Sequence, residues 1–156
     1  MNHFVYAMPP GRLTIVASDR GIARIVFGDI PVDTPRRPSA LTNTAATQLQ
    51  EYFAGKRTAF DVPVDLQGTP FQLEVWNALR SIPYGQTLTY ADIAKAIGKP
   101  RAFRAVGMAN NKNPVPIIVP CHRVIGTGGK LMGYAAGPKI KRYLLELEGV
   151  DPSSLH

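Results

Sequence analysis

The 156-residue chain holds one cysteine, Cys121. A disulfide within the chain is therefore impossible. A secreted disulfide scaffold and a cysteine-rich zinc site are excluded, and a reducing compartment fits best. The three histidines, His3, His122 and His156, are too scattered to look like a ligand cluster, so neither metal nor cofactor is expected. No apolar run approaches the ~20 residues that span a bilayer. The N-terminal residues lack a basic segment followed by an apolar one, so no signal peptide is read. The expectation is a cytoplasmic protein with no membrane partner. Acidic residues are also scarce: 11 Asp and Glu face 18 Lys and Arg, a formal charge of +7. That imbalance fits a polyanion such as nucleic acid or merely a basic surface, and charge alone does not choose between them.

With 45% apolar residues, a core is affordable for one compact domain or two small ones. Two unlike parts appear, 1–66 and 67–156, and together they predict an α/β (more narrowly α+β) protein. In the first part, 11–17 and 21–27 are β-rich and flank Ser18-Asp19-Arg20-Gly21, which has turn chemistry, so a hairpin is expected. Residues 42–54 read as a helix with Leu49, Tyr52 and Phe53 on its apolar face and Gly55 at the C-terminal cap. Alternation of Phe60, Val62 and Val64 suggests one more strand, and His3 reads as a frayed terminal residue.

The second part is mainly helical. Thr69-Pro70 opens a helix whose core face is Phe71, Val75, Trp76 and Leu79. Thr89 caps a short helix over 90–97, Gly98-Lys99-Pro100 turns the chain, and a second helix is expected over 101–110. Such a pair resembles a helix-turn-helix, and Arg101 and Arg104 within one turn of the second helix favour DNA contact. Three prolines then forbid a helix, and 117–119 reads as a buried strand delivering Cys121. A last helix over 138–149 has Ile140, Tyr143, Leu144 and Leu147 on its apolar side.

A lone buried cysteine is most often an inert small hydrophobe. Cys121, however, lies outside any periodic helix, between Pro120 and His122-Arg123. An imidazole and a guanidinium beside the sulfur favour the thiolate, the nucleophilic form. The histidine can act directly or through one water, and a carboxylate to orient it is wanted, with Glu146 and Glu148 as candidates.

The string Asn113-Pro114-Val115-Pro116-Ile117-Ile118-Val119-Pro120-Cys121-His122-Arg123-Val124 resembles the active-site signature of the methylated-DNA–protein-cysteine methyltransferases, also called O6-alkylguanine-DNA alkyltransferases. The likeness extends over 69–149 through Arg101-Ala102-Phe103-Arg104-Ala105-Val106-Gly107, Ala109-Asn110, Gly133-Tyr134-Ala135, Leu144-Leu145 and Glu148-Gly149. The first 66 residues fit the family only in size and in their strand–helix pattern.

The resemblance implies direct-reversal repair: Cys121 takes the alkyl group of O6-alkylguanine in double-stranded DNA, once per molecule, after the base is flipped out. His122 activates Cys121 through a bound water, Glu148 orients His122, and Asn113 braces the loop before the active-site strand. Arg104 fills the gap left by the extruded base. Tyr90 crowds a phosphate and is a candidate proton donor to the guanine oxygen. Arg101 and Ala105 join Arg104 in contacting DNA, and the recognition helix is expected in the minor groove. The base pocket draws on Tyr134, Val124, Ala135 and Pro116, with backbone carbonyls of Cys121 and Val124 offered to the base. Some members carry serine where Ala135 stands, so a hydroxyl contact is missing here. Others hold an N-terminal zinc site whose cysteines this chain lacks. A monomer is expected in solution, with cooperative assembly on DNA left open.

Three other classes compete. A non-catalytic binder of alkylated guanine would lack the cysteine. A helix-turn-helix regulator sensing through Cys121 would want a dimer interface and a regulatory segment. A cysteine hydrolase would need an oxyanion hole and turnover.

Overall fold

The computed structural model describes every residue except Met132, Gly133 and Ala135. The chain forms two compact units, Met1–Gln67 and Gly68–His156. Among the described residues no helix is long and apolar enough to cross a membrane.

The first unit is an antiparallel sheet of β1 (Asn2–Met8), β2 (Gly11–Ala17) and β3 (Ile22–Phe27), in that order. Residues 18–21 make the expected β2–β3 turn, with Ser18 N bonded to Gly21 O at 3.0 Å. The central strand buries Leu13, Ile15, Val16 and Ala17, and helix α1 (Ala40–Phe53) packs on the sheet through Ala45, Ala46, Leu49, Tyr52 and Phe53. The helix starts two residues before the expected position because Ser39 caps it: its hydroxyl accepts from Thr42 N, and Thr42 reciprocates.

Two expectations fail in this unit. His3 is not frayed. It sits in β1 opposite Val16, is buried, and places Nδ1 2.7 Å from Thr34 Oγ1, while its backbone bonds to Pro35 and Arg37. The stretch around 60–64 is not a strand. Only Val64 bridges, to Ile22; Pro63 has no N–H to extend a ladder, and the Gln48 carboxamide takes the N–H groups of Asp61 and Val62.

In the second unit, α2 (Pro70–Leu79) is capped by Thr69 and buries Val75, Trp76 and Leu79. The indole of Trp76 donates to Ala109 O at 2.9 Å, which ties α2 to α4 (Phe103–Asn111). Helix α3 (Tyr90–Ala96), capped by Thr89, packs on both. Gly98, at φ +75°, begins the turn between α3 and α4. That turn runs on to Ala102, so Arg101 precedes α4 rather than lying within it. The parallel pair β4 (Leu88–Thr89) and β5 (Val124–Ile125) joins the start of α3 to the residues after Cys121.

The last helix, α5 (Pro138–Leu147), ends with Glu148 at its C-cap. Its buried side is Lys141, Leu144 and Leu145, whereas Tyr143 is exposed. The apolar face expected from sequence is thus rotated, because Lys141, Leu144, Leu145 and Glu148 recur at helical spacing and all turn inward.

Candidate active site

Residues 113–123 form the platform for the cysteine, and they do so without the expected strand. Val119 N returns to Val115 O at 3.0 Å and Cys121 N to Val119 O at 2.8 Å, so 115–119 is a tight turn. Its sharpness forces Ile117, a β-branched residue, to φ +75°, a conformation that costs of order 1–3 kcal/mol and must be held by its surroundings. The hold is visible: Ile117 is buried, and Asn113 clamps the turn by accepting from Val115 N (2.9 Å) and donating to Val119 O (2.8 Å). Cys121 then opens a single 3₁₀ turn, Cys121–Arg123.

Within that turn, His122 is wholly buried and its Nε2 lies 2.7 Å from Glu148 Oε2. A carboxylate only accepts, so Nε2 carries the proton and Nδ1 is the bare, basic nitrogen. Nδ1 has no hydrogen-bond partner among the described residues. Burial holds the His122 pKa below its ordinary value, against the pull of Glu148, so the ring is neutral at pH 7.

Glu148 is the hub of this cluster. Besides His122, its carboxylate accepts from Arg123 Nε (2.9 Å), Arg123 Nη2 (3.1 Å) and Gly85 N (2.9 Å). Arg123 is spent on that bidentate pair and on Ile82 O at 2.7 Å, with Tyr84 beneath its guanidinium. Gly85 is required here on two counts: its φ is +78°, and a Cβ would lie 3.0 Å from Glu148 O.

Here the structure corrects the expected thiolate. Arg123 faces Glu148 rather than the sulfur, and burial pushes the Cys121 thiol up to about 11, opposed in part by Asn113, Lys141 and the backbone amides of Cys121 and His122. Cys121 is only 4% exposed and rests as a neutral thiol. The cation beside it is Lys141, which sequence reading missed because a lysine on an amphipathic helix is ordinarily a surface residue. Lys141 is buried, its Nζ lies 5.9 Å from the Tyr90 ring centroid, and burial lowers its pKa to about 8 against the influence of Cys121. Tyr90, the first residue of α3, is half-buried; burial and the neighbouring Cys121 raise its phenol to about 12. A second missed residue is Asn110, buried on α4, whose amide donates to Cys121 O at 3.3 Å.

The remaining expected site residues are placed as follows. Val124 is buried in β5, Pro116 is half-buried in the 115–119 turn, and Tyr134 is half-buried. Ala135 lies outside the described residues. Arg104 and Ala105 are exposed on α4, and Arg101 is exposed in the turn before it, apart from the buried cluster.

Both units match known proteins. Residues 70–150 match the model of the 6-O-methylguanine DNA methyltransferase DNA-binding domain, and 1–66 that of the ribonuclease-like domain of the same methyltransferase. A methylated-DNA–protein-cysteine methyltransferase of Methanosarcina acetivorans is 47% identical over 96% of this chain and 99% of its own. The constitutive enzyme of that name from Bacillus subtilis is 44% identical over 97% and 98%. Among solved structures, Mycobacterium tuberculosis OGT in complex with DNA superposes with a TM-score of 0.89 at 44% identity, covering 99% of this chain and 95% of that one. Matched in order along nearly its whole length, the chain belongs to the 6-O-methylguanine DNA methyltransferase family.

Proposed function

We propose that this protein repairs DNA by moving the alkyl group of O6-alkylguanine onto Cys121 Sγ in a single-turnover reaction. The observation that carries the assignment is the buried His122–Glu148 pair beside the only thiol: a neutral, oriented base adjoining a nucleophile. His122 Nδ1, acting through one water, takes the thiol proton. Lys141 offsets the charge that develops on sulfur in this buried site. The new S–C bond forms as the O6–C bond breaks, and its electron pair goes to the guanine oxygen. Tyr90, protonated throughout the neutral range, is the donor beside that oxygen. Glu148, already neutralised by Arg123, orients His122 rather than accepting its proton.

Only a base withdrawn from the duplex can reach a sulfur this deeply placed, so the reading includes base flipping. The α3–α4 pair acts as a helix-turn-helix, its second helix approaching the minor groove. Arg104 occupies the gap, Tyr90 presses the adjoining phosphate, and Arg101 and Ala105 face the backbone, which costs no sequence specificity. Tyr134, Val124 and Pro116 line the pocket. A thioether is stable in water, and no second nucleophile among the site residues described above removes the alkyl group, so the protein is spent.

Titrating a duplex carrying one O6-methylguanine against the protein tests this. Methyl loss that stops at one equivalent per chain, and is absent for Cys121→Ser, supports it. Repeated turnover contradicts it.

A further inference from the structure

We infer that Phe103 is a DNA-stacking residue that works with Arg104 as a two-part wedge, Phe103 covering a base face while the guanidinium occupies the space of the displaced base. The inference rests on the repair reading above and extends it to a residue to which that reading gives no task.

Helix α4 turns Val106, Ala109 and Asn110 inward and leaves Phe103, Arg104, Ala105 and Met108 outward. Phe103 is 45% exposed and Met108 66%, two of the four large hydrophobics left exposed among the described residues. An apolar ring this open at the first position of a helix is only partly covered by the fold. Arg104 Cζ lies 6.0 Å from the ring centroid, within the range of a cation–π contact. That contact narrows the conformations of a long side chain before binding, so less freedom is lost when the wedge enters DNA.

The occupant follows from charge. Arg101, Arg104 and Lys112 are all exposed on α4 or at its ends, and the chain carries +7. A second copy would bring the same positive rim, whereas a polyanion with flat aromatic faces satisfies rim and ring together. Phe and Met are also the side chains that wedge between base steps in bent or opened duplexes.

The test compares Phe103→Ala and Phe103→Tyr with the unaltered protein on two substrates, an O6-methylguanine duplex and free O6-benzylguanine. Because the residue is exposed, both variants should fold, which melting curves check. The expected result is a duplex-to-free-base rate ratio lowered about tenfold by Ala, in line with the loss of one base stack, and restored by Tyr. An unchanged ratio, or equal losses on both substrates, overturns the inference. A dimer of the unaltered protein that Phe103→Ala dissolves also overturns it by assigning the ring to self-association. Should the unaltered protein alkylate Cys121 from neither substrate, the repair reading itself falls and the wedge with it.

Discussion

His122 Nε2 lies 2.7 Å from Glu148 Oε2, with neither side chain open to solvent. The contact fixes which ring nitrogen is basic, and it fastens the cysteine turn to the end of α5, 26 residues on. Buried charge on Glu148 is tolerable only because Arg123 and Gly85 supply three further donors.

Replacing that carboxylate should damage both chemistry and fold. Glu148→Gln leaves Arg123 buried without its counter-charge, a cost of about 3–5 kcal/mol. It also frees the His122 tautomer, and methyl transfer should slow by roughly 10²-fold, the low end for loss of acid–base catalysis. Urea melts and single-turnover kinetics measure the two effects. A variant of native stability and rate contradicts the account.

Acid should weaken the protein through His122. Its folded pKa lies below the unfolded value of 6.5, so the unfolded chain binds the extra proton. This contribution is complete above pH 6.5 and is lost as pH falls below it. The transfer rate should not drop at pH 6.5, because the folded ring stays neutral there. Measured from pH 8 to 5, stability should therefore decline below 6.5 while the rate holds through that point. A rate that halves at 6.5 itself would place an ordinary, solvated histidine in the site.

Lys141 gives the same sign in a more alkaline window. Its pKa is about 8 in the folded chain and 10.5 unfolded, so the unfolded state binds more protons between these values and stability rises with pH across them. Lys141→Met removes the cost of the buried cation. It should be at least as stable as the parent near neutrality, with the difference shrinking toward pH 10.5, yet react roughly tenfold more slowly for want of about one pKa unit of help to the thiolate. Thermal melts across pH and transfer rates check both halves. A variant that reacts at the parental rate removes Lys141 from the chemistry.

Arg104 is exposed on α4, so its truncation should spare the fold. Arg104→Ala is expected to slow transfer from duplex DNA by 10²-fold or more while changing transfer from free O6-benzylguanine far less. Equal losses on both substrates would take base displacement away from this residue.

Sequence reading went furthest where local chemistry dictates structure. Thr69-Pro70 and Thr89 mark helix starts by their own hydrogen-bonding capacity, and the string around Pro120-Cys121-His122-Arg123 carries the family resemblance. It fell short where partners lie far away in the chain. Residues 117–119 read as a strand because apolar β-branched residues favour one, and the Asn113 clamp that overrides this preference is a contact the residue pattern does not show. Arg123 looked like a neighbour of the sulfur because it is close in sequence, but Glu148, 25 residues on, claims it. Lys141 carries no signal in the sequence, since helical periodicity separates polar from apolar and gives no sign of a buried cation. Strand β1 and the order of His3 have no local signature, because pairing with β2 and the contact with Thr34 supply them.

The most direct measurement is the intact mass of the protein after incubation with a duplex containing O6-methylguanine, followed by mapping of the modified peptide. The account predicts one added methyl, about 14 Da, confined to the peptide bearing Cys121, and no change for Cys121→Ser. A folded, DNA-bound protein whose Cys121 keeps its original mass would contradict it.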